Sequence, residues 1–167
     1  MKKWFLFILL TASLTGCSGT QLINVNMQDY YKKIDCPVNV IDLRPDARLL
    51  NGTNILDIML DVSPPVKDII YSRICQNSKI QRYLQKNKMT VWIRDIKFYY
   101  ISHAWSIETI LILDVSVQMG NDKHEIQASG KIDKAGGMSD YRIPLLLKES
   151  IDELVGKVEG QLDLDKL

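Results

Sequence analysis

The sequence predicts an α+β fold: a two-layer sandwich, with a mostly antiparallel sheet of about five strands and two helices on one face. Three observations point there. Residues 107–119, IETILILDVSVQM, alternate apolar and polar over their whole length, the mark of a strand with one buried and one wet face. Two other stretches, 63–87 and from about 144 onward, carry apolar residues at three- and four-residue steps, the stripe of an amphipathic helix. The order is strand, strand, helix, three strands, helix, which leaves two helices to cover the buried face.

The chain opens with an export signal. Lys2 and Lys3 precede an apolar run, Trp4 to Leu14, broken only by Thr11 and Ser13. The run is too short for a permanent membrane span and has the layout of a secretory signal peptide. It closes with Leu14-Thr15-Gly16-Cys17. A cysteine at that junction resembles the bacterial lipobox. In such signals the thiol receives a diacylglyceryl group, and cleavage just before it leaves an acylated N-terminus. The small Thr15 and Gly16 suit peptidase access to the backbone. The alternative is an ordinary secreted protein with a chance cysteine. On the lipobox reading Cys17 carries a covalent lipid and the chain is anchored to a membrane without spanning it. Ser18, not Asp, follows the cysteine. For Gram-negative lipoproteins the resemblance implies the periplasmic side of the outer membrane, because Asp there is the usual inner-membrane retention signal.

The expected organisation is a signal peptide at 1–16, a lipidated tether at 17–35 with a typical reach of about 25 Å, and a single α+β domain at 36–167. About 150 mature residues suit one domain with a sizeable core. Of 21 basic side chains, Lys2 and Lys3 leave with the signal, so 19 face 20 acidic ones. That near-neutral balance gives no reason to expect a nucleic-acid partner. Cys36 and Cys75 remain as an even pair in an oxidising compartment. Either they form a disulfide or they are two buried free thiols.

Along the chain, Leu22, Ile23, Val25 and Tyr30-Tyr31 suggest that part of the tether lies against the domain. Val38, Val40, Ile41 and Leu43 read as a short strand ended by Pro45. A turn is expected at Asn51-Gly52. In ILDIMLDV, Leu56, Ile58, Leu60 and Val62 face one way and Asp57 and Asp61 the other. A helix follows, with Ser63 as its cap and the prolines in its first turn. Its apolar stripe is Val66, Ile69, Ile70, Ile74, Ile80, Tyr83 and Leu84. Cys75 lies on the shoulder of that stripe, facing the start of the first strand. MTVWIRDIKFYYIS is a strand whose phase slips near Arg94-Asp95, as at a bulge. After the 107–119 strand comes a hairpin turn at Gly120-Asn121-Asp122-Lys123. The partner strand returns with His124, Ile126, Ala128, Gly130 and Ile132 on one face. The last helix carries Leu147, Ile151, Leu154, Val155, Val158 and Leu162. Its Gly156 and Gly160, in a helix full of charges, read as a site of close packing on the sheet.

Lipobox, a strand ending in Asp42-Leu43-Arg44, loop, strand, helix, a meander with the polar turn MGNDKHE and a closing amphipathic helix together resemble the YajG-like lipoproteins of Gram-negative bacteria. The chain is more distantly similar to auxiliary lipoproteins of ABC-type lipid transporters. The resemblance implies fold and location; the family has no established catalytic activity.

Candidate chemistry is sparse. His103 and His124 are the two histidines. They lie on different elements, without a Cys or carboxylate at ligand spacing, so no metal is expected. No Gly-x-Ser-x-Gly elbow, no Gly-x-Gly-x-x-Gly and no phosphate loop occurs. Asp42 and Arg44 flank a strand end; they form either a site or a pair that pins the following loop. The expectation is therefore a non-enzymatic binding or assembly module, with no cofactor beyond the lipid on Cys17 and an unidentified envelope protein as partner. The alternative is an auxiliary transport lipoprotein that holds a lipid between sheet and helices.

Overall fold

The computed structural model describes residues 21–47, 51–52, 58–102, 107–134 and 142–162. The signal, Cys17 and His103 lie outside them. Seven strands, three α-helices and a short 3-10 helix at Gln28–Tyr30 are described: β1 (Gln21–Asn26), β2 (Val38–Asp42), β3 (Asn51–Gly52), β4 (Ile58–Ser63), α1 (Val66–Gln76), α2 (Ser78–Leu84), β5 (Met89–Ser102), β6 (Ile107–Met119), β7 (Asp122–Lys134) and α3 (Arg142–Gly160).

The main sheet runs β2-β5-β6-β7, with β3 also pairing to β5. The long strands β5, β6 and β7 are antiparallel, while β2 and β3 lie parallel to β5. The α+β sandwich with helices on one face is thus observed, with a sheet that is mixed at the β5 side. Period two explains the inner face. Leu111, Leu113, Val115 and Val117 of β6 are fully buried, as are Val91 and Ile93 of β5. They meet Ile143, Leu146, Leu147, Ile151, Leu154 and Val158 of α3 and Ile69, Ile70 and Ile74 of α1 in one core. Each such side chain contributes roughly 1.5–3 kcal/mol by leaving water. The slip near Arg94 is real: the β5–β6 register shifts between Ile93 and Asp95. The extra residue turns Asp95 and Lys97 to the wet face, so Ile96 and Phe98 stay buried.

Several expectations change. The stretch expected as tether is folded from Gln21 on: β1 pairs in parallel with β4 from Gln21↔Ile58 to Asn26↔Ser63. Leu60 and Val62 face inward as expected, but β4 joins this two-stranded sheet, not the main one. A period of two reveals a strand's faces, not its neighbour. Asn51-Gly52, expected as a turn, bridges to Lys97 and Phe98 of β5. Ser63 does not cap a helix; it ends β4, the Ser63–Pro64 peptide is cis, and Pro65 stands at the α1 N-cap without a side-chain bond. The single expected helix is two. Asn77 interrupts it and caps α2, its Oδ1 accepting from the Lys79 and Ile80 N–H groups at 3.0 and 3.1 Å, which satisfies two otherwise orphaned donors. The hairpin turn is tighter than expected. Met119 pairs with Asp122, so only Gly120 and Asn121 turn. Gly120 has φ +63°, a conformation L side chains rarely adopt.

The close-packing glycine is also a different one. A Cβ on Gly156 or Gly160 would meet nothing within 4 Å, whereas one on Gly130 would lie 2.2 Å from the Leu146 carbonyl oxygen. Gly130 lets β7 touch the backbone of α3. That contact is fastened by side chains. Buried Ser150 donates to the carbonyls of Leu111 and Leu146 at 3.1 and 2.8 Å. Along the outer edge of β7, Glu153 accepts from the Ser129 N–H at 2.5 Å and Lys157 donates to the Gln127 carbonyl at 2.6 Å. Two backbone groups on the otherwise unpaired edge of β7 are thereby engaged by α3, which hinders another strand from pairing at that point.

Candidate functional site

Cys36 and Cys75 are joined by a disulfide, with Cα atoms 5.9 Å apart. The placement follows from the apolar stripe: Cys75 is fully buried on α1, beside the entry to β2. Neighbouring side chains of α1 hold the segment before β2. The Tyr71 hydroxyl accepts from the Cys36 N–H at 2.9 Å and donates to its carbonyl at 3.1 Å. Ser72, fully buried, does the same for Lys32, at 2.9 and 2.7 Å. An extended segment outside any sheet thus finds partners for its backbone on a helix surface.

Next to this clip sits a polar cluster that links three elements. Tyr30 donates from its hydroxyl to Asp152 of α3. Arg73 of α1 pairs with the same carboxylate at 2.7 Å and stacks its guanidinium 4.5 Å from the Tyr30 ring centroid. Lys148 lies 5.6 Å from that centroid. Burial, then the hydrogen bond to Asp152, raises the Tyr30 pKa well above the ordinary tyrosine value. Arg73 Nε is buried without a hydrogen-bond partner among the described residues. The cluster works as a latch. Cation–π contact and shared hydrogen bonds fasten the chain near its N-terminal strand to α1 and α3. Tyr30 was visible in the sequence as a residue that touches the domain. Its partners, 43 and 122 positions away, leave no sequence signal.

Asp42 and Arg44 do come together. Arg44 donates from Nε to Oδ1 at 2.9 Å and from Nη2 to Oδ2 at 2.6 Å, and its own N–H reaches Oδ1 at 3.2 Å. The side chains are 4% and 12% exposed. Both carboxylate oxygens are engaged in a fork within three residues, the geometry of a pair that fixes the turn after β2.

His124 is half-buried in a cleft of about 370 Å³ at the β6–β7 hairpin end, lined also by Tyr83, Asn87, Asp122 and Gln161 among others. The lining mixes amides, one carboxylate, one imidazole and a phenol ring. It can bind by hydrogen bonds and stacking. Among the described residues, no three His, Cys, Asp or Glu side chains are placed to hold a metal ion.

On the wet face of the sheet, Arg94 bridges Asp114 at 2.6 Å and also pairs with Glu125. Ser116 donates to Glu125 beneath this bridge, which explains a buried serine on the polar side of β6.

A model of the prokaryotic membrane lipoprotein lipid attachment site matches residues 1–18. The chain is thus a bacterial lipoprotein, anchored to a membrane. Among the described residues of the lipoprotein, no helix is long and apolar enough to cross one. No curated protein matches it. Six chains of solved structures match, two of which illustrate the likeness. One, an uncharacterized protein, is 6% identical with a TM-score of 0.41, over 86% of this chain and 99% of that one. The other, the hypothetical protein CT253 from Chlamydia trachomatis, is 16% identical with a TM-score of 0.29, over 85% and 97%. Neither likeness carries an argument about function.

Proposed function

We propose that this lipoprotein is acylated at Cys17, sits on the periplasmic side of the outer membrane, and acts there as a non-enzymatic binding or assembly module of the YajG-like kind. The observation that carries the proposal is the lysine-led apolar run closing in Leu-Thr-Gly-Cys-Ser, within the matched residues 1–18. Ser18 in place of Asp favours outer-membrane sorting. The hairpin-end cleft around His124, with its mixed polar lining, is the natural contact site for a partner.

The competing reading places a lipid between sheet and helices. The Gly130–Leu146 backbone contact and the fully buried side chains of β6 and α3 weigh against it. An acyl chain there would have to replace contacts at interior packing density.

Density-gradient fractionation of envelopes tests the location. The expected result is cofractionation with the outer membrane and a shift of the Ser18→Asp variant to the inner membrane. Recovery of the unaltered protein in the inner-membrane fraction would overturn it. For the cleft, photo-crosslinking from position 121 should yield a discrete adduct in intact envelopes that position 39, on the opposite edge strand, does not give.

A further inference from the structure

We infer that the outward face of the β1–β4 pair at its Gln21–Ile58 end rests on the lipid headgroups, held there by a very short leader. The inference rests on acylation of Cys17. Given that acylation, covalent geometry does most of the work. Only Ser18, Gly19 and Thr20 separate Cys17 from β1. Even fully extended, the four steps from Cys17 to Gln21 span at most about 14 Å. The lipid-bearing residue lies at the membrane interface, so the first residue of β1 cannot leave it by more than that distance. A tether of 19 residues would let the domain roam; this one does not.

The side chains next to the anchor agree. β1 and β4 run parallel, so both begin at the anchored end. Alternation puts Ile23, Val25 and Leu60 into the core. Leu22, Asn24 and Asn26, with their partners Met59, Asp61 and Ser63, form an outward face whose polarity changes along the strands. Nearest the anchor are Leu22, 53% exposed, and its partner Met59. Next come Asn24 and Asp61, then Asn26 and Ser63. An apolar pair thus stands beside the lipid, and a carboxylate and amides stand roughly 7–14 Å further along the strands. A lone exposed leucine would need no explanation. A leucine–methionine pair leashed within about 14 Å of a bilayer, with polarity rising away from it, has one. The latch of Tyr30, Arg73 and Asp152 then transmits this placement to α1 and α3, so the whole body is oriented.

The test uses the full acylated protein in vesicles of phosphatidylethanolamine and phosphatidylglycerol. With Cys17 acylated and Cys36–Cys75 bonded, Leu22→Cys or Asn26→Cys supplies a single thiol for a nitroxide. The expected result is several-fold lower collision of the position-22 label with a water-soluble nickel chelate than of the position-26 label. Inserting a fifteen-residue Gly/Ser segment (about 22 Å of added reach) between Thr20 and Gln21 should abolish the difference. Equal access at both positions in the unextended protein would overturn the inference. So would shielding at position 22 that survives the insertion, since the short leader would then not be its cause. Mass spectrometry of the N-terminal peptide from the same sample reads acylation separately, so loss of the Cys17 reading is distinguishable from loss of the orientation.

Discussion

Gly130→Ala should be far more damaging than its single methyl group suggests. The new Cβ would lie 2.2 Å from the Leu146 carbonyl oxygen and 2.9 Å from Ser150 Oγ, against about 3.5 Å for an ordinary contact. The first is backbone and the second a buried hydroxyl held by hydrogen bonds to the Leu111 and Leu146 carbonyls; both lie in the half of α3 nearer its start, facing the sheet. The helix must therefore withdraw by about 1 Å, a gap that forfeits a quarter to a half of each dispersion contact across it. Overpacking of this kind costs about 1–3 kcal/mol. Withdrawal also stretches the Ser150–Leu111 bond and the Glu153 and Lys157 bonds to the β7 edge, worth roughly 1 kcal/mol each when fully lost. The expected total is on the order of 3 kcal/mol, or a fall in Tm of about 6–12 °C for a domain of this size. Gly156→Ala is the matched control. Its Cβ would meet nothing within 4 Å, and alanine in a helix gains about 0.5–1 kcal/mol over glycine. Thermal unfolding followed by circular dichroism reads both. A Gly130→Ala variant within a degree of the wild type would refute the close approach of α3 to β7.

Three further outcomes are expected. Leu113→Ala, fully buried on β6, should cost about 2–5 kcal/mol, while Asp114→Ala on the wet face loses only the partly exposed Arg94 pair and should cost less than about 1 kcal/mol by chemical denaturation. Reduction of Cys36–Cys75, which closes a separation of 39 residues, should lower stability by about 4 kcal/mol, seen as a lower denaturant midpoint in the presence of a reducing agent. Stability should fall at both ends of the pH range. Hydrogen bonds from Lys79 and Asn77 hold Glu159 below the usual glutamate value, and for Glu153 burial pulls upward but is outweighed by bonds from Lys157 and the Ser129 backbone. Their contribution is present above the unfolded glutamate pKa of about 4.3 and is lost as pH falls through the depressed values. Tyr30 is raised, so its contribution is present below about pH 10 and is lost as pH climbs towards the folded value. Tyr30→Phe should flatten the alkaline limb; an unchanged limb would show that the latch does not titrate there.

Legibility divided along physical lines. The β5–β6–β7 meander and α3 were readable because their apolar residues repeat over 13 to 19 positions, long enough for the period to be unambiguous. The disulfide was readable because Cys75 sits on a helix face whose inward side the stripe defines. The main misreadings lie in short segments. β1 and β4 have six residues each, and β3 two. β1 reads as part of a tether and β3 as a turn, and β4 announces its inward face but not which strand it will pair with, a choice made by the whole core. The break at Asn77 left the apolar stripe in phase, so periodicity passed over it, although an asparagine between two helical runs is itself a capping signal. The Asp42–Arg44 pair was visible because both partners lie within three residues. The Tyr30–Arg73–Asp152 latch was not, because it is assembled from three distant elements.

The most direct test of the account is the chemical state of the mature N-terminus. Intact-mass and tandem mass spectrometry of the protein purified from membranes should place the N-terminus at Cys17 and show on it the added mass of a diacylglyceryl group, with or without a further amide-linked acyl chain. Cys17→Ser should leave the protein unlabelled by radioactive fatty acid and absent from the membrane pellet. An unmodified N-terminus at another residue, or a Cys17→Ser variant that still takes up label and still pellets with membranes, would contradict the account.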